Sequence, residues 1–184
     1  MNPVRAVSCA GLLLVVAMAG AAPPDPSAEG RRIAMAFGGE LKGALQGAMS
    51  EGGPVAAIEV CAARAPAIAA EASAASGARV ARTALKIRNP ANAPDGHERA
   101  VMAEFAERLA REPGSVPEAV EVLPDGRVRY MRAIVTDGVC LACHGATLAP
   151  EVAGVIDARY PADEARGFAP GDLRGAFTIT WPAG

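Results

Sequence analysis

The sequence predicts an α+β fold in which an antiparallel sheet is flanked by helices. Three observations lead there. Apolar residues in the first half recur at intervals of three and four, those in the second half alternate at intervals of two, and no strand–helix–strand unit repeats that would build a parallel sheet.

Residues 26–51 place Ile33, Phe37, Leu41, Leu45 and Ala48 on one helical stripe. Gly52 and Gly53 end that run, and Pro54 suits the first turn of a second helix. There Ile58, Cys61, Ala65, Ile68 and Ala72 share a face, so Cys61 is expected to point inward. Pro66 has no N–H to donate and is expected to kink or interrupt this helix before Gly77 stops it. RVARTALKIR (79–88) then alternates, which predicts a half-buried strand whose outer, basic face carries Arg82, Lys86 and Arg88. NPANAP follows as a turn-rich loop. Asp95 with Glu98 three residues later makes a capping box, and the helix behind it has Val101, Met102, Phe105 and Leu109 on its apolar side. EAVEVL, the turn PDG and RVRYMRAIV read as a hairpin. A short helix around 150–158, a loop YPADEARGFAPGD and a last strand LRGAFTITW complete the chain.

The N-terminus combines Arg5, the apolar run AGLLLVVAMA and small residues before PPDP. That is the pattern of a cleaved secretory signal over residues 1–21, too short and too rich in Ala and Gly for a spanning helix. Residues 22–184 are then one exported domain, periplasmic or otherwise outside the cytoplasm, with no membrane span. Its 17 cations against 20 acids leave it mildly acidic, and nothing in the charge pattern points to nucleic acid. Aromatic residues make up only 4% of the chain, so Ala, Val, Ile and Leu must build the core. Past the signal three cysteines remain, Cys61, Cys140 and Cys143. An odd number argues against a simple disulfide framework.

Residues 137–147 read DGVCLACHGAT. A Cys-x-x-Cys-His run is the attachment motif of c-type haem. Cys140 and Cys143 would add to the two vinyl groups, and His144 would be placed under the iron. A redox dithiol would want a thioredoxin-like setting, which is missing. Zinc is the sharper rival, since Cys61, Cys140, Cys143 and His144 make a Cys₃His set; yet zinc ligands usually come in two short knuckles, and Cys61 stands alone in a helix.

The other axial ligand is less legible. Met102 and Met49 read as core packing, and Met35 lies off its helix's apolar stripe. Met131 alternates in a strand beside the motif and stays open. His97 falls in the first turn of a capped helix, usually a solvated place, and stays open too. Cys61 sits on an apolar helical face with no disulfide partner; it reads equally as a ligand or as a small buried hydrophobe.

Four stretches in order, AAIEVCAARAPAIA, RTALKIRNPANAPDGHE, CLACH and YPADEARGFAPGDLRGAFTI, resemble a family of exported single-haem c-type domains long catalogued only as a domain of unknown function. The resemblance spans nearly all of residues 22–184. It implies a PAS-like antiparallel sheet enclosing one covalent haem c. It also implies a cysteine and a histidine as axial ligands, matching Cys61 and His144. Where many members have an aromatic residue before the Glu of the NAPD segment, this chain has His97. Arg82, Lys86 and Arg88 fall in the matched RT-LK-RNP stretch as candidate partners of the haem propionates. Thiolate ligation implies a low reduction potential. The expected activity is electron transfer with an unidentified redox partner. The alternative is redox or gas (CO, NO) sensing through a signalling partner, and no residue pair suggests an enzyme.

Overall fold

A computed structural model describes residues 22–184, so the expected signal segment lies outside the described residues. In chain order the elements are α1 (Pro26–Ser76), β1 (Arg79–Thr83), α2 (Gly96–Arg111), β2 (Glu118–Val122), β3 (Val128–Val135), α3 (Leu141–His144), α4 (Pro150–Arg159) and β4 (Leu173–Trp181). Short 3-10 turns occupy Pro90–Asn92 and Gly138–Cys140. The strands form one antiparallel sheet in the order β1-β4-β3-β2. This is the expected α+β architecture and is consistent with a PAS-like fold. No helix among the described residues is long and apolar enough to cross a membrane.

α1 is a hairpin of two helical arms. Asp25 caps its start by accepting from the Ala28 N–H at 3.0 Å, Pro26 opens the first turn, and Gly77 closes the far end in the left-handed conformation. A straight helix would hold Ile33 and Ile68 about 50 Å apart at 1.5 Å per residue. Instead both pack in one cluster with Phe37, Val80, Tyr130, Ile179 and Trp181. The reversal is at Gly53, whose φ of 70° and ψ of −167° are open essentially to glycine alone. The glycine pair therefore separates two helices, as the sequence suggests. Replacing Gly53 by alanine should destabilise the chain by about 1–3 kcal/mol, visible as a lowered urea midpoint. Pro66 corrects another expectation: the second arm runs through it to Ser76 with no further non-helical residue. The proline ring lies on the exposed side, and one lost helical hydrogen bond is outweighed by the packing of Ala65 and Ile68.

The sheet is covered on both faces. Val128, Tyr130, Phe177, Ile179 and Trp181 point to α1. Met131, Ala133 and Ala176 point to α2, where they meet Val101, Met102 and Phe105. The α2 capping box is present, and Asp95 also receives two hydrogen bonds from buried Arg129 at 3.0 and 2.7 Å, tying the helix to β3. β1 is shorter than RVARTALKIR suggests. Its pairing ends at Thr83↔Ala176, and the Ala84 N–H turns away to donate to the Asn92 carbonyl. Residues 84–88 are thereby freed to cross the sheet's end. A bulge at Ile134/Val135 shifts the β3–β4 register so that Ile134 pairs with Gly175 and Val135 with Leu173. Arg174 is the extra residue between them. Bulges re-aim side chains, and this one turns Arg174 to the α1 side.

Candidate functional site

The CLACH segment is a helical turn strapped to a loop. Asp137 starts it by accepting from the Val139 N–H at 3.1 Å, and it also accepts from the Cys140 thiol and from Lys42 of α1. The Phe168 N–H donates to the His144 carbonyl and the Gly167 N–H to the Gly145 carbonyl, both at 3.0 Å. Arg88 closes the arrangement. Its guanidinium pairs with Asp163 at 2.9 Å and donates to the carbonyls of Cys143 at 2.7 Å and Ala165 at 3.3 Å. The Asp163 side chain is 2% exposed. Burial alone would raise its pKa, but hydrogen bonds from Arg88, Arg166 and the Ala165 N–H hold it down to about 2.

This sets the sign of an acid effect. A carboxylate held below its unfolded value near 3.9 contributes stability that is present above about pH 4. That stability is lost as pH falls through about 2. The urea midpoint should drop between pH 5 and pH 2.5, and Asp163→Asn should shrink that drop.

His144 is oriented by the same loop. Its Nδ1 lies 2.7 Å from the Ala165 carbonyl oxygen, which can only accept, so Nδ1 carries the proton and Nε2 keeps a free lone pair. Burial, reinforced by the charges of Arg174 and Arg88, lowers its pKa to about 3, and the ring is neutral at ordinary pH. Phe168 packs edge-on against it, with centroids 6.2 Å apart.

His144, Cys140, Cys143 and Cys61 all line one cleft of about 500 Å³ between α1 and the sheet. Its walls are largely apolar, with Leu41, Leu45, Ile58, Ile68, Val135 and Phe177. That volume lies in the range of small-molecule and cofactor sites. Cys61 was expected in a packed interior; it is exposed instead, because its helical face borders the cleft. Surrounding protein raises its thiol pKa, while Arg82, Arg88 and Arg174 pull it back. Among the described residues no three His, Cys, Asp or Glu side chains converge to hold a metal ion by themselves, which disfavours the zinc reading.

Four arginines line the cleft, Arg82, Arg88, Arg132 and Arg174, of which Arg132 is paired with Glu118. Arg88 has its carboxylate in Asp163. Arg82 and Arg174 have no acidic partner among the described residues; Arg174 makes one long bond to the Lys86 carbonyl and lies 5.3 Å from the Phe168 ring. Burial lowers the pKa of both, and the neighbouring Arg88 and Arg82 help bring Arg174 to about 10. Partly buried charge without a counter-charge is costly, so the cleft suits an anionic ligand. The cleft also corrects the expected solvated face for Arg82 and Arg88: Arg82 pairs opposite Phe177 on the α1 side of the sheet, and Arg88 reaches the cleft because β1 ends at Thr83.

The remaining candidates fall elsewhere. Lys86 lies outside the cleft, donating to the Arg166 carbonyl over the Phe168 ring. His97 is exposed in the first turn of α2, and Met131 is buried in the α2 cluster; neither lines the cleft. Met49, expected in the core, does line it. Arg174 had no sequence signal beyond its place in the matched stretch, because strict alternation would turn it toward α2.

Comparison with known proteins places the chain as a whole. The Tll0287-like family model, described as Tll0287, matches residues 16–182. The crystal structure of the cyanobacterial heme-protein Tll0287 superposes with a TM-score of 0.63 at 30% identity, covering 86% of this chain and 96% of that one. No curated protein matches.

Proposed function

The chain belongs to the Tll0287-like family, and on that premise we propose that it is an exported single-haem c-type protein that transfers electrons at low potential. Cys140 and Cys143 would hold the haem through thioethers, and His144 and Cys61 would ligate its iron. The observation that carries the reading is the convergence of all four on one apolar cleft whose two carboxylate-free arginines call for an anion. The bound group supplies one-electron chemistry; the chain decides its potential, its orientation and its access to solvent.

Each residue has a defined task. The Ala165 carbonyl fixes the tautomer of His144 and presents Nε2. Arg82 and Arg174 take the propionates, in place of the wider set of Arg82, Lys86 and Arg88. Cys61 as thiolate donates electron density and favours the oxidised state. With His144 and Cys61 both bound, the iron would have no open position for a substrate. A second reading, redox or gas sensing, is favoured by one observation: Cys61 is exposed on the cleft and not wedged in a core, so it can leave.

The test is expression with a c-type maturation system. Purified protein should give a haemochrome in alkaline pyridine that stays with the chain after acid–acetone extraction, and Cys140→Ser with Cys143→Ser should release it. Haem that extracts from the wild type would refute covalent attachment. Slow carbon monoxide binding by the ferrous form supports the carrier, and fast binding supports the sensor.

A further inference from the structure

The cleft holds one soft donor more than the proposed function uses. Met49 lines it together with Cys61 and His144 and is partly buried. The other described methionines are elsewhere: Met35 is 61% exposed, and Met102 and Met131 are buried in the α2 cluster. Lys42 and Tyr160 also reach the cleft, but Lys42 is paired with Asp137 and the phenol of Tyr160 is a hard donor.

The hairpin puts Met49 and Cys61 on the wall of the same cleft. Ile33 and Phe37 of the first arm share a cluster with Ile68 and Ala72 of the second, so the arms run antiparallel with their reversal at Gly53. That register sets Met49 opposite Ala57, which is wholly buried. Ala57 precedes Cys61 by one turn, about 6 Å along the helix axis. A methionine side chain is long and adaptable enough to bridge such a distance. Between the two donors lies the reversal at Gly52-Gly53-Pro54.

We propose that Met49 is the axial ligand of the reduced protein, replacing Cys61 when the iron accepts an electron. The proposal rests on the haem reading above. An external one-electron donor reduces ferric iron to ferrous. The iron–sulfur bond to Cys61 breaks, and the released thiolate takes one proton from solvent. The Met49 thioether then donates a lone pair, with no proton exchanged. Thiolate matches the oxidised iron and thioether the reduced one. Reoxidation by the redox partner returns Cys61 to the iron and the proton to solvent.

The test compares wild type, Cys61→Ala and Met49→Leu, each first shown by pyridine haemochrome to carry covalent haem, so that a failure of haem attachment is seen separately. Reduced with dithionite, wild type and Cys61→Ala should share one low-spin ferrous spectrum. Met49→Leu should keep the wild-type ferric spectrum, turn high-spin when reduced, and bind carbon monoxide about tenfold faster or more, because no thioether competes. If the ferrous spectrum and carbon monoxide rate of Met49→Leu coincide with wild type, the exchange is wrong. Should Met49→Leu fail to mature, ferric Cys61→Ala decides: a far-red thioether-to-iron charge-transfer band supports Met49, and its absence overturns it.

Discussion

On the proposed Cys61 and His144 ligation of a covalent haem, Cys61→Ala should keep the haem, lack a thiolate signature in the ferric spectrum, and have a reduction potential raised by roughly 0.1 V or more, within the ~0.8 V range that axial ligation spans. The variant removes the one thiolate the cleft offers besides the attachment cysteines. It leaves untouched the Asp163–Arg88 anchor that holds the CLACH turn. The rise follows because the thiolate stabilises ferric iron by donating charge, and a neutral ligand or water does so less. Folding should change little, since Cys61 is exposed and its truncation opens no packed core. Electron paramagnetic resonance of the ferric form and a spectroelectrochemical titration check the two halves. An unchanged ferric signal would remove Cys61 from the iron.

The largest loss of stability should come from Arg88→Ala. The substitution strands Asp163, whose side chain is 2% exposed, and strips donors from the Cys143 and Ala165 carbonyls. Breaking a buried pair on one side costs about 3–5 kcal/mol. Arg166 still reaches Asp163 at 2.8 Å, which places the expected loss near the lower figure. The damage should also reach the chemistry, because the Ala165 carbonyl freed of Arg88 is the one that orients His144. Haem occupancy should therefore fall along with the urea midpoint. The double variant Arg88→Ala/Asp163→Asn should lose less stability than Arg88→Ala alone, as the buried charge is then absent. Arg88→Lys should rescue poorly, since an ammonium cannot reproduce the fork on Asp163 and two carbonyls. Additive losses in the double variant would mean that the pair is not coupled.

Local patterns were readable wherever one face of an element decides its place. The capping box and apolar side of α2, the hairpin of β2 and β3 and the alternation in β4 all depend on residues a few positions apart. So does CLACH, whose spacing is its chemistry. The same logic misjudged residues whose surroundings come from distant segments. Cys61 and Met49 lie on faces that look like core by periodicity, but a cleft lies beside them. Lys86 alternates with Arg82 and Arg88, yet β1 ends at Thr83 and carries Lys86 away. His97 has a side chain suited to iron, and only the position of α2 keeps it from the cleft.

By itself the sequence determined the α+β class, the two helices on either side of Gly53 and the Cys-x-x-Cys-His turn, because each rests on short-range periodicity, backbone permission or covalent spacing. Tertiary structure alone decided which donors share a cleft and which charges enter it. The hairpin brings Met49 and Cys61 to one cleft, the loop at 163–168 presents a carbonyl to His144, and the bulge between β3 and β4 turns Arg174 against its alternation. The physical reason is that a ligand set is a statement about distance between segments, and local pattern constrains only the direction in which each side chain leaves its own backbone.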